Sequence, residues 1–148
     1  MITEQQFIYA AGNGNLEIVK EYLENKGDVH ARKDYALRYA SLRGHTETVR
    51  VLLEWKANVH AKEDYALRWA SHNGHTEIVR LLLEWKADVH AQKDDDALRW
   101  ASYWGHTETV KLLLEWKANV HARDDEALRE ASLYGHTEIV RVLNGTYS

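Results

Sequence analysis

The tripeptide Val-His-Ala stands at residues 29–31, 59–61, 89–91 and 120–122, and the text between these marks recurs with it. The chain is therefore one unit of about 30 residues written five times. A unit this short has too little apolar surface to close a core alone, so its copies must stack and bury that surface against one another. The expected product is a single solenoid domain over residues 1–148, with units of roughly 1–28, 29–58, 59–88, 89–119 and 120–148. Equivalent positions then fall in stripes along the stack, and function is sought in stripes.

Composition narrows the class. The chain is 45% hydrophobic and 28% charged, with no apolar run long enough to span a bilayer, so no membrane segment is expected. Cysteine is absent, which excludes disulfides and thiolate zinc sites. The opening Met1-Ile2-Thr3-Glu4-Gln5-Gln6 lacks a secretory pattern, and a cytoplasmic location is expected. Nineteen basic residues against 23 acidic ones give a formal charge of −4, a field that disfavours nucleic acid.

Each unit reads as helix, tight turn, helix, which makes the fold all-α. In the second unit Asp34 precedes Tyr35-Ala36-Leu37-Arg38-Tyr39-Ala40-Ser41-Leu42-Arg43, then Gly44-His45, then Thr46-Glu47-Thr48-Val49-Arg50-Val51-Leu52-Leu53-Glu54. Leu37, Ala40 and Ser41 form one small apolar face, and Val49, Leu52 and Leu53 form another. Asp34, Asp64, Asp95 and Asp125 are expected to cap first helices and to pair with the arginine four residues on. Gly44, Gly74, Gly105 and Gly135 supply the left-handed residue that ends them. Unit four carries one extra residue in Asp94-Asp95-Asp96, which a loop before the helix would absorb. Unit one opens on a capping box, Thr3 with Gln6.

The string Ala70-Ser71-His72-Asn73-Gly74-His75-Thr76-Glu77-Ile78-Val79-Arg80-Leu81-Leu82-Leu83-Glu84, followed by Ala87-Asp88-Val89-His90-Ala91, resembles the ankyrin repeat. The resemblance covers nearly the whole chain and implies an ankyrin-type solenoid of five stacked helix-turn-helix repeats. The family's Thr-Pro-Leu-His becomes Tyr-Ala-Leu-Arg at 35–38 and 65–68, and the usual hairpin finger is about three residues short. Shortened finger loops are implied. Lys26, Lys56, Lys86 and Lys117 stand where the family has glycine, so either lysine adopts a left-handed backbone or the turn differs. The shortened form looks like arrays encoded by giant DNA viruses, and a design on such a template is equally compatible.

With Leu37, Ala40 and Ser41 facing the core, Tyr35, Tyr39, Leu42 and Arg43 lie on the opposite face, the concave side on which the family commonly binds partners. The equivalents are Tyr9 with Asn13; Tyr65, Trp69, His72 and Asn73; Asp96, Trp100, Tyr103 and Trp104; and Glu126, Glu130, Leu133 and Tyr134. One position reads Tyr9, Tyr39, Trp69, Trp100, Glu130, an aromatic ladder ending in a carboxylate. Tyr and Trp are enriched at binding hot spots, so this strip predicts a protein or peptide partner. The competing reading is rings that merely pack on one another. The loops before units two to five sum to +1, −1, −2 and −2, favouring a partner with basic residues toward the C-terminal units.

The remaining features point away from chemistry. His45, His75, His106 and His136 occupy the family's Gly-His turn, where a backbone hydrogen bond is the implied role. His30, His60, His90 and His121 recur one unit apart, too far to share a metal. The resemblance makes His60, His90 and His121 possible acceptors for an intracellular oxygenase. Serines 41, 71, 102 and 132 replace a small core alanine and have no base set beside them. Trp55, Trp85 and Trp116 close the second helices and are expected to pack between repeats. Asn144-Gly145-Thr146 matches a glycosylation sequon expected to be inert. The reading is a non-enzymatic, monomeric interaction scaffold without a cofactor. Its alternatives are a purely structural or designed array, and an aromatic-cage binder of a cationic or methyl-lysine peptide.

Overall fold

Ten helices, arranged as five pairs, make up the described part of the chain. They are α1 (Glu4–Asn13), α2 (Leu16–Glu24), α3 (Ala31–Arg43), α4 (Thr46–Glu54), α5 (Ala61–His72), α6 (Thr76–Glu84), α7 (Asp96–Trp104), α8 (Thr107–Glu115), α9 (Ala122–Leu133) and α10 (Thr137–Gly145). The computed structural model describes residues 1–145, apart from the side chains of Lys93 and Asp94. Thr146 of the sequon lies outside the described residues, as does the side chain of Asp94 in the acidic loop of unit four. The first helices α1, α3, α5, α7 and α9 pack in series, and so do the second helices. The first helices approach one another far more closely, which puts them on the inner side of a curved stack.

The predicted faces are the buried ones. Leu37, Ala40, Ser41, Val49, Leu52 and Leu53 are all essentially solvent-free, and their equivalents continue one core from Phe7 to Leu143. Burial of this surface, at roughly 25 cal/mol per Å² of apolar area, is the main stabilising contribution. Close approach between first helices needs small residues, which Ala40, Ala70 and Ala101 supply. The Oγ atoms of Ser41, Ser71 and Ser102 are buried there without a hydrogen-bond partner, a local penalty that Ala11 avoids in unit one. Unit one is sealed differently: the Phe7 and Tyr22 rings stack at 4.1 Å, and Thr3 and Gln6 form the expected reciprocal cap at 2.9 and 3.1 Å.

Where the family's fingers would be, the described residues contain no strand. Instead Arg32, Lys33 and Asp34 form a left-handed turn with φ of 53°, 59° and 57°. Lys62-Glu63-Asp64 and Arg123-Asp124-Asp125 repeat it. Such geometry costs an L-residue about 1–2 kcal/mol, so three in succession require compensation. It comes from the aspartate, and this corrects its expected role as a first-helix cap. Asp34 is buried; its Oδ1 accepts from His30 Nδ1 at 2.9 Å and from the backbone N–H of Asn58, in the next unit, at 2.8 Å. Asp64 accepts likewise from His60 at 3.0 Å and from the Asp88 N–H at 2.6 Å. Asp95 joins His90 to the N–H of Asn119 in the same way, and His121 bonds Asp125 at 2.8 Å.

The expected aspartate–arginine pairs are likewise replaced by something else. Arg38 reaches back over the left-handed turn, donating from Nε to the Lys33 carbonyl at 3.0 Å and from Nη2 to the Arg32 carbonyl at 3.1 Å. Arg68 and Arg129 close their own turns in the same manner. The left-handed backbone points these carbonyls outward, where a guanidinium fork satisfies two at once. In unit four the extra residue widens the turn into a π-type loop over Ala91–Asp95, and the histidine-to-aspartate spacing grows from four residues to five. Lys26, Lys56, Lys86 and Lys117 adopt the left-handed backbone, with φ of 66–76°.

Replacing Asp64 with alanine removes the acceptor for His60 and strands the Asp88 N–H. The expected loss is about 2–4 kcal/mol of unfolding free energy, against less than half of that for Asp64→Asn, which keeps one acceptor oxygen. Urea titration followed by far-ultraviolet circular dichroism measures both.

Candidate functional site

The first helices carry two rows of side chains along the inner face. The outer row alternates arginine with tyrosine and then with carboxylate. The Arg38 guanidinium lies 4.7 Å from the Tyr35 ring centre and 5.3 Å from that of Tyr65 in the next unit. Arg68 lies 5.8 Å from the Tyr65 ring and 3.8 Å from the Asp96 carboxylate. Arg99 pairs with both Asp96 and Glu126. Arg38, Arg68 and Arg99 thus each bridge their own unit to the following one, Arg38 by cation–π contact with Tyr65 and Arg68 and Arg99 by ion pairs.

The inner row holds the ladder positions. Tyr9 is exposed and lines a shallow pocket with Tyr35 and Tyr39. The half-buried Tyr39 ring lies against α1 at Gly12, where a Cβ would stand 2.3 Å from it; only a glycine admits the ring there. Tyr35 meets Tyr39 edge-on at 5.8 Å, and Arg43 donates to the Tyr39 hydroxyl at 3.2 Å. From Tyr65 onward the rings form an unbroken chain. Tyr65 touches Trp69, Trp69 touches His72 at 4.6 Å, and His72 touches Trp100 at 5.2 Å and Trp104 at 5.5 Å. Tyr103 meets both of these indoles edge-on and contacts Tyr134 at 4.9 Å.

His72 is the centre of that chain, a role its sequence position did not single out. Trp104 Nε1 donates to His72 Nε2 at 3.1 Å, so the proton sits on Nδ1, which donates to Asn73 Oδ1 at 3.0 Å. Asn73 in turn donates from Nδ2 to the Leu42 carbonyl of the previous unit at 3.1 Å. The ring cluster is therefore oriented by hydrogen bonds across units two, three and four. It still presents solvent-facing area: Trp104 is 50% exposed and Trp100 36%. Glu130 closes the ladder beside a pocket of about 110 Å³, which Arg99, Trp100, Tyr103 and Glu126 also line.

The histidines of the tight turns are structural. His75 donates from Nε2 to the Leu42 carbonyl at 3.1 Å, His106 to that of His72 at 2.9 Å, and His136 to that of Tyr103 at 2.9 Å. Each ring covers the glycine turn of the preceding unit. Burial lowers the His106 pKa below the usual 6.5, with His72, His75 and His136 adding to the effect and the bond to the His72 carbonyl opposing it. Among the described residues no group of three His, Asp or Glu side chains is placed to hold a metal. Trp55, Trp85 and Trp116 stay more exposed than expected, at 44%, 36% and 39%, each sitting one residue past its helix; Lys56 lies over the face of Trp85, at 5.2 Å. Among the described residues no helix is long and apolar enough to cross a membrane.

Sequence reading missed the arginine row and the 110 Å³ pocket. The signal was present, an arginine at 38, 68, 99 and 129, but its four-residue distance from an aspartate imitates an ordinary helical ion pair.

Comparison with known families identifies two matching models. Ankyrin repeats (3 copies) match residues 7–93, and Ankyrin repeats (many copies) match residues 98–143. No curated protein matches the chain.

A histidine whose folded pKa lies below its unfolded value binds its proton more readily when the chain is unfolded. His106 therefore contributes stability that is whole above about pH 6.5 and is lost as the pH falls through its lower folded pKa. Denaturant midpoints measured from pH 7.5 to 5 are expected to fall with acidification, and His106→Asn, the residue type that unit one carries at Asn15, is expected to flatten that fall.

Proposed function

Because the chain belongs to the ankyrin repeat family, whose members are generally protein-interaction scaffolds and typically non-enzymatic, we propose that it binds a partner peptide or helix along its concave aromatic face. The single observation that carries this reading is the chain of rings from Tyr65 to Tyr134. It is oriented by the His72 hydrogen bonds, yet two of its three indoles, Trp100 and Trp104, stay more than a third exposed. Indoles held in place but not covered have already lost their conformational freedom, so a partner gains their burial at little further ordering cost. Trp69, Trp100, Tyr103 and Trp104 are the anchors. Tyr9, Tyr35, Tyr39, Arg43, Tyr65, His72, Asn73, Glu130 and Tyr134 orient the partner around them. The protein works as a cytoplasmic monomer, without cofactor, nucleic acid or membrane, and a partner with basic residues suits the carboxylates of the C-terminal units.

A second reading, a structural or designed array whose rings serve packing, draws on the same ring-to-ring contacts. The double variant Trp100→Ala, Trp104→Ala separates the two. On the interaction reading, affinity for a partner captured by the intact array falls by at least about 100-fold, as for a paired hot spot, while the helical signal and melting cooperativity stay near wild type. Binding that survives the double variant, or collapse of the fold, refutes it. Sedimentation over a concentration series is expected to show a monomer throughout; association that the double variant abolishes would make the strip a self-contact.

A further inference from the structure

One rung of the ladder is missing a ring. Tyr9, Tyr39, Trp69 and Trp100 occupy equivalent positions in units one to four, and unit five has Glu130 there. The space a fifth ring would fill is the pocket of about 110 Å³ at the junction of units four and five. Its walls are the half-exposed Trp100 indole and the Tyr103 phenol, set edge-on to each other at 5.7 Å. Its polar lining is Arg99, Glu126 and Glu130.

An ion-pair network runs past the pocket and leaves Glu130 outside it: Arg68 lies 3.8 Å from Asp96, Arg123 lies 3.6 Å from Glu126, and Arg99 pairs with both carboxylates. In units two, three and five the arginine Nε donates to a carbonyl of its own left-handed turn. In unit four, where the turn is one residue longer, Arg99 Nε donates instead to Glu126, and its Nη1 to Asp96. Asp96 and Glu126 stand where units two and three carry Tyr35 and Tyr65. The guanidinium is thus committed to two carboxylates, and Glu130 has no cationic partner among the described residues. The pocket pairs two aromatic walls with a half-buried, unmatched carboxylate, an arrangement complementary to a compact cation.

We propose that the pocket bounded by Trp100, Tyr103 and Glu130 is a seat for an alkylammonium group, the lysine side chain of the bound partner. The inference rests on the concave-face reading and specifies the chemistry of its C-terminal end. The ammonium meets the Glu130 carboxylate while its methylenes lie on the indole, and the Arg99–Glu126 pair forms a floor that rejects an acidic side chain by leaving its charge beside Glu130.

The ammonium alone serves as the first probe. The folded chain is titrated with n-butylammonium chloride, with sodium chloride at equal ionic strength as control, and the Trp100 indole N–H and Tyr103 ring resonances are followed by NMR. The expected result is a saturable shift of both, silence at Trp85, and affinity weakened about tenfold in Glu130→Gln, which removes only charge from a partly exposed side chain. A shift that never saturates, an equal response to sodium chloride, or unchanged affinity in Glu130→Gln overturns the proposal. If the Trp100/Trp104 variant loses the partner while wild type ignores butylammonium, this inference falls and the concave-face reading stands. Butylammonium binding with partner affinity indifferent to those tryptophans overturns the concave-face reading and, with it, the partner's lysine as the occupant.

Discussion

In units two, three and four a buried carboxylate couples the turn before the first helix to the unit that follows it. Asp34, Asp64 and Asp95 each take one proton donor from a histidine of their own turn and one from the backbone of the next unit, 24 residues on. Without the carboxylate, three consecutive L-residues at φ near 55° would have no reason to stay there, and the first helix would not start where it does. In units two to four the second donor belongs to the next unit, so part of the compensation arrives with the neighbour, while the turn of unit five keeps its histidine and arginine bonds. Local backbone geometry and stacking are thus one cooperative event, which is what a repeat too small to fold alone requires.

The same interaction sets the position of the inner face. Once the turn is left-handed, its carbonyls face outward, and Arg38, Arg68 and Arg129 are drawn back over them. That fixes the arginine row, which in turn lies on Tyr35 and Tyr65. The ladder beside it is held from the other end of each first helix, where the histidines cover the glycine turns and donate to carbonyls one unit back. The inner helices α3, α5 and α7 are each pinned at both ends by bonds that cross between units. Trp69, Trp100 and Trp104 sit between those pins, gathered around His72 with part of their surface open to water.

Helix pairs and core faces were legible from sequence because periodicity reports them directly: Leu37, Ala40, Ser41, Val49, Leu52 and Leu53 are buried as their spacing requires. Gly44 reported its left-handed turn because glycine is the residue type such a turn selects. Arg32, Lys33 and Asp34 hid theirs for the converse reason, since nothing in three charged L-residues advertises positive φ. Asp34 was misassigned because its second partner, the Asn58 N–H, is a backbone group with no sequence identity, 24 residues away. The ladder positions could be enumerated from the register of the first helix. That His72 organises them could not be, since its partners Trp100 and Trp104 approach from another unit.

Unit four shows how an array of near-identical units acquires a distinct place. One inserted residue widens the turn, yet the aspartate bond to the next unit is kept, because Asp95 still reaches the Asn119 N–H. That bond between units survives the insertion, and the change is felt by Arg99, which finds Asp96 and Glu126 where Arg38 faces Tyr35 and Tyr65. One unit on, the ladder loses its ring at Glu130 and the pocket opens. A solenoid whose inter-unit bonds run through backbone N–H groups tolerates such edits, because the backbone donor is present whatever the side chain. Identity along the inner face is then free to vary while the stack that displays it does not.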